Sequence, residues 1–321
     1  MQQPIYKEFD RSRLSLLSLA ERRHDLDLKA IKSLQRPDRI GYPFSKVAQR
    51  LARAKHKATS AILMMGAHVI RAGVQNYIID LMEKGYINCI AMNGAGVIHD
   101  YELALLGATT ESVAAYIREG YFGFWKETGC INDIVNQAAN RGMGLGEAMG
   151  AHIIAENLPH QAISLPAAGY RLGIPITVHV GMGYDIIHQF PNCDGAAIGA
   201  TSYRDFLRFT GVMECLQDGV IMNFGSAVMA PEVYLKSLSM VRNAARQRSQ
   251  RINRFTTLVC DLVDLPQDYH QEATPDMPAY YFRPWKTMLV RTVADGGESY
   301  YVRGRHAETI PQLWAAVMEQ A

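Results

Sequence analysis

AILMMGAHVIRAGVQNYIIDLMEKGYINCIAMNGAGVIHDYELALLG, residues 61–107, decides the fold. It contains two rounds of one pattern: an apolar run stopping at glycine (AILMMG, then YINCIAMNGAG), followed by an amphipathic stretch (AHVIRAGVQNYIIDLMEKG, then VIHDYELALLG). Short apolar runs bounded by glycine predict buried strands, and apolar positions recurring at helical spacing predict the helices between them. The alternation resumes at IPITVHVGMG followed by YDIIHQF, at GVIMNFGSA followed by a helix from Pro231 to about Arg248, and at FTTLVCDLV and TMLVRTV. Strands alternating with helices imply an α/β fold, a mostly parallel sheet with helices on both faces.

Outward from this core, residues 1–55 predict a basic helical N-terminal extension, with Leu14, Leu17, Leu19, Leu26, Leu28 and Ile31 at helical spacing and breaks at Pro37 and Gly41–Tyr42–Pro43. Residues 56–321 predict the α/β domain, with a helical insertion at about 111–175 and a closing helix IPQLWAAVMEQ. The 321 residues, 48% hydrophobic, suffice for one large core. A net charge of +2 with 20% charged residues fits neither a disordered chain nor a strongly basic nucleic-acid binder. Residues 1–60 nevertheless hold fourteen Lys and Arg against six Asp and Glu, which reads as a solvated helical face rather than a seat for RNA or an acidic partner. Five cysteines far apart, with no paired spacing, predict reduced thiols. With no apolar run of signal-peptide or membrane-spanning type, the expectation is a cytoplasmic protein with no membrane partner.

Three strands end in small residues: Gly66–Ala67–His68, Asn93–Gly94–Ala95–Gly96 and Gly225–Ser226–Ala227; a fourth ends in Val180–Gly181–Met182–Gly183 before Asp185. In an open parallel sheet, ligands lie across the carboxyl ends of the strands, where backbone N–H groups and helix N-termini favour phosphate. NGAG lacks the full GxGxxG spacing, and a glycine there also serves any tight turn, so the signal is joint. His179, Asp185 and His188 flank one junction and could ligate a metal. His179 in an apolar strand reads equally as a hydrogen-bonded core histidine, Asp185 and His188 as a helix-start pair, and no metal is expected. Asp185 could bind a cationic amine. Lys286, near Arg283 and Trp285, is a candidate imine-forming nucleophile or a plain exposed lysine.

The segments GAHVIRAGVQNYIIDLMEKGYINCIAMNGAGVIHD, VGMGYDIIH, GVIMNFGSAVMAPEVYLKSLSMVRN and RPWKTMLVRTVADGGESYYV together resemble the deoxyhypusine synthase family, from about Ala61 to Ala316. The resemblance implies a Rossmann-like NAD-binding fold and a homotetramer with active sites at subunit interfaces. It also implies a chemistry in which NAD oxidises a polyamine and an aminobutyl group passes through a lysine imine to an amine acceptor. By position, Ala67, His68, Asn93, Gly94, Ala95, Gly96, Gly225 and Ser226 would face NAD, Asp185 would hold the amine, and Trp285 would pack beside the reacting chain. The family's Trp-x-Lys stands here as Trp285–Lys286–Thr287, which puts Thr287 at the lysine position. Its Lys-His-His stands as Met229–Ala230–Pro231, and its acidic pair is reduced to Ile98–His99–Asp100.

The leading expectation is a deoxyhypusine synthase-like, NAD-dependent transferase of alkylamine groups between small amines or polyamines, with Lys286 carrying the imine. The alternatives are an NAD-binding oxidoreductase or hydrolase without lysine catalysis, and a non-catalytic NAD-binding subunit.

Overall fold

The computed structural model describes residues 5–320. Six parallel strands form one sheet: β1 (Ala61–Met65), β2 (Cys89–Asn93), β3 (Ile176–His179), β4 (Val220–Phe224), β5 (Thr256–Asp261) and β6 (Glu298–Arg303). Their spatial order is β3-β2-β1-β4-β5-β6, the doubly wound Rossmann order, in which winding reverses between β1 and β4. The expected α/β architecture is therefore present.

The sheet is buried on both faces, which explains its unbroken apolar runs. Leu63 and Met65 of β1 point into one core and Ile62 and Met64 into the other. Eleven α-helices occur among the described residues. The first is α1 (Tyr42–Lys57), which carries Pro43 in its opening turn and ends at Ala58. Next come α2 (His68–Arg71) and α3 (Gln75–Glu83) between β1 and β2, then α4 (Gly94–Leu106) directly after β2. Between α4 and β3 lie α5 (Val113–Glu119), α6 (Lys126–Arg141), α7 (Leu145–Ala155) and α8 (Leu165–Leu172). The remainder are α9 (Gly195–Met213), α10 (Met229–Gln247) and α11 (His306–Met318). One core joins α1, α3, α4, α7, α8 and α11; the other joins α10, the end of α9, and the segment Trp285–Arg291.

Two regions differ from a plain reading of periodicity. TMLVRTV, expected as a strand, lies in a π-helix, Trp285–Arg291, and the sixth strand is the following Glu298–Arg303. Parallel neighbours β5 and β6 need a crossover, and this segment supplies it. A short apolar run has the same signature in a strand and in a buried helix. Before α1, the helical elements among the described residues of the N-terminal arm are three short turns, Arg11–Arg13, Leu19–Glu21 and Leu28–Ala30.

Candidate functional site

The loops after β1 and β4 meet at the point where the strand order reverses. Gly66 lies against the backbone of Gly225, and a Cβ on Gly66 would collide with the Gly225 carbonyl. Gly225 itself has φ +68°, and a Cβ there would collide with the imidazole of His306, the first residue of α11. Asn223 at the end of β4 holds the turn in shape: its Oδ1 accepts the Ser226 N–H at 3.2 Å and its Nδ2 donates to the Ser226 carbonyl at 2.9 Å. Ser226 Oγ then accepts the N–H of Ala230 at 3.0 Å, in the first turn of α10. Val228 at the N-cap offers no side-chain acceptor to that turn, and Pro231 has no N–H. The nineteen-residue α10 thus begins directly after this turn, with Ala227 and Val228 exposed beside its N-terminus.

The loop after β2 has a different occupant. Asn93 caps α4, its Oδ1 accepting the Gly96 N–H at 3.1 Å. The Asp185 carboxylate lies directly over Gly94, leaving no room for a side chain there, and accepts from the Ala95 backbone. Burial pushes the Asp185 carboxyl up to about 6, with the Ala95 N–H pulling the other way. The anion-favouring end of α4 is therefore filled by the chain's own carboxylate. Asp185 donates its backbone N–H to His188 Nδ1 at 3.1 Å. His179 is a core histidine: its Nε2 lies 3.0 Å from Thr177 Oγ1, its ring packs edge-on to Phe209, and burial lowers it to about 3. Among the described residues no group of His, Cys, Asp and Glu has the arrangement of a metal site.

Ala67 is half-buried and His68 exposed, with His68 Nε2 3.3 Å from an Arg71 guanidinium nitrogen. Ala67, His68, Gly225 and Ser226 come together at the reversal point. Asn93, Gly94, Ala95 and Gly96 form the neighbouring turn beneath Asp185. Trp285 and Lys286 lie elsewhere. Trp285 is 2% exposed in the core under Phe282, its Nε1 donating to the Tyr269 carbonyl at 2.8 Å. Lys286 is 8% exposed and places its ammonium 3.9 Å from the centre of the Tyr280 ring. Both sit on the crossover that packs on β5 and β6, whereas Asp185 covers the end of β2. Three strand spacings separate β2 from β5, roughly 14 Å.

Two residues at the reversal point escaped the sequence reading. His306 reaches Gly225 from α11, and Asp261 at the end of β5 faces it. Burial lowers the His306 imidazole, Asp261 raises it, and nearby His68 adds to the lowering. The available signal was Gly304, a small residue closing a further strand just before a histidine.

Residues 45–163 match the family described as arginine dihydrolase ArgZ-like, C-terminal, Rossmann fold. No curated protein matches the sequence. Among solved structures, unliganded AgrE superposes with a TM-score of 0.53 at 14% identity, over 87% of this chain and 33% of that chain. ArgZ, an arginine dihydrolase from the ornithine-ammonia cycle in cyanobacteria, gives 0.50 at 14% identity, over 88% of this chain and 33% of that chain. The chain thus spans about a third of the length of ArgZ and AgrE. A "putative deoxyhypusine synthase" from Entamoeba histolytica gives 0.41 at 8% identity, over 86% of this chain and 87% of that chain. At 14% identity the likenesses to AgrE and ArgZ extend to the fold and no finer. No helix among the described residues is long and apolar enough to cross a membrane.

Proposed function

We propose that the chain is an NAD-dependent enzyme whose dinucleotide lies across the β1 and β4 loops and whose substrate is a small amine. The observation that carries this reading is the close backbone approach of the β1 and β4 loops at the strand reversal, where Gly66 packs on Gly225 beside the N-terminus of α10 and the side chain that comes against Gly225 is the His306 ring. The residues fit such a group. Ala67, His68, Gly225 and Ser226 would border it, α10 would face its phosphates, and Asn93–Gly96 would form the adjoining wall. Bound there, the oxidised nicotinamide would accept a hydrogen with its electron pair from the substrate. The match to the ArgZ-like Rossmann family supports the reading, and the neighbour AgrE has been solved with ornithine and NAD+.

Within this reading, oxidation without lysine catalysis fits the geometry better than aminoalkyl transfer, because Lys286 lies against Tyr280 across the sheet from Asp185. Transfer remains a second reading on one observation: Lys286 is buried with its nitrogen over the Tyr280 ring rather than on a carboxylate, so no ion pair among the described residues occupies it. In that version Asp185 would hold the amine, Trp285 would pack beside it, and the homotetramer would bring sites together.

Calorimetric titration with NAD+ should give saturable binding and a melting temperature that rises with cofactor concentration. No heat and no rise would reject the proposal. With spermidine, putrescine and L-ornithine as probes, NADH should form, and Lys286→Ala should retain turnover. A loss of several orders of magnitude in that variant would favour the transfer route instead.

A further inference from the structure

At the strand reversal, one side chain from outside the glycine loops fills the space that Gly225 leaves open. His306 directs Nε2 onto Gly225, while its Nδ1 is buried without a hydrogen-bond partner among the described residues. Buried imidazole nitrogens normally donate or accept, and one left orphaned in a native fold calls for a ligand or a chemical role. The groups facing this ring are Asp261 from the end of β5 and His68 from α2, with Phe224 of β4 packed against it at 6.2 Å between ring centres. No hydrogen bond from the described residues fixes the imidazole, and the Asp261 carboxylate lies near enough to stabilise it once charged. Gly225 is the residue that lets it enter: any larger side chain there would push the ring out.

We infer that His306 is the acid–base residue of the reversal-point site, taking a proton from the substrate's amine nitrogen at Nε2, the ring nitrogen that is neither hydrogen-bonded to the described residues nor sealed in the interior as Nδ1 is. The inference rests on the proposed NAD-dependent amine oxidation and names its missing base. For a neutral primary amine, the carbon's hydrogen leaves with its electron pair to oxidised nicotinamide, the C–N bond becomes C=N, and the nitrogen's proton passes to His306. Asp261 then faces an imidazolium rather than a neutral ring. His306 must begin neutral to act, and its burial at the site favours that form.

The test uses the full chain with histidine rings isotopically labelled. His306 signals are assigned by their loss in His306→Gln, and NAD+ is titrated into the wild type. The His306 signals should move saturably at the concentration at which calorimetry shows binding, while those of exposed His56, on α1, stay in place. His306→Gln should melt like the wild type and bind NAD+ within about threefold, yet lose amine-dependent NADH formation by roughly a hundredfold or more. The variant should also lose the part of the acid limb of kcat/KM that imidazole protonation adds to protonation of the substrate amine itself. Binding of NAD+ with His306 signals unmoved, or a His306→Gln variant that retains turnover, overturns the assignment and leaves the cofactor reading standing. No NAD+ binding by the wild type removes both.

Discussion

Gly225 has φ +68°, as Gly142 has φ +70°, but their surroundings differ: open space lies beside Gly142, and the His306 ring lies against Gly225. The pair separates backbone strain from collision. Gly142→Ala should cost about 1–2 kcal/mol, the penalty for an alanine in the left-handed region. Gly225→Ala should cost at least about 1 kcal/mol more, since the ring must be displaced, and should weaken NAD+ binding where Gly142→Ala does not. Urea denaturation with a parallel NAD+ titration checks this, and equal losses would show that His306 yields freely. The same contacts explain what the sequence could and could not reveal. Glycines at strand ends were legible because they interrupt apolar runs. Their occupants, Asp185 over Gly94 and His306 over Gly225, come from distant parts of the chain, and no local pattern marks them.

At the scale of elements, the sheet was readable because each strand is buried on both faces and so reads as a continuous apolar run. The π-helix was not, since Trp285–Leu289 is as thoroughly buried as a strand. The N-terminal arm was readable only in part. Asp10, Ser18 and Asp27 each accept the N–H two residues on, closing short turns that compete with a longer helix. Long-range contacts then fix the arm. Arg22 makes two hydrogen bonds of 2.8 Å to Glu102, with both side chains 2% exposed. Thr128 and Thr109 donate to the same carboxylate at 2.6 and 2.7 Å. Breaking a buried pair by removing one partner leaves an uncompensated charge and costs about 3–5 kcal/mol. Arg22→Met should therefore destabilise the fold by that amount and expose the segment before α1 to limited proteolysis. A variant as protease-resistant as the wild type would show that Leu17, paired beside Trp125, holds the arm by itself.

For the molecule as a whole, buried ionisable groups set two opposing responses to pH. Burial pushes the carboxyls of Asp100 and Asp205 up to about 7, although each accepts backbone N–H groups at a helix N-terminus, Asp100 from Leu165 of α8 and Asp205 from Gly146 of α7. A carboxyl raised on folding holds its proton more tightly in the native state, so its contribution is full below about pH 4 and is lost as pH rises toward 7. Buried His99 and His179 act oppositely: lowered to about 4 and about 3, they cost stability as pH falls below the usual histidine range, where the unfolded chain takes up protons first. The two responses oppose each other between about pH 4 and 6.5, so the wild-type profile should vary less there than either set of groups alone would make it. Asp100→Asn isolates one side of this balance, because an amide at that position can accept from Leu165 and donate to Ser164 while carrying no titrating proton. Relative to the wild type, the variant should gain about 1.4 kcal/mol of stability per pH unit between roughly pH 4 and 7 and change no further above that. Urea midpoints measured across this range decide the matter: wild-type and variant profiles that run parallel would mean that Asp100 is ionised in the folded protein throughout, held charged by Ser164 and Leu165 despite its burial.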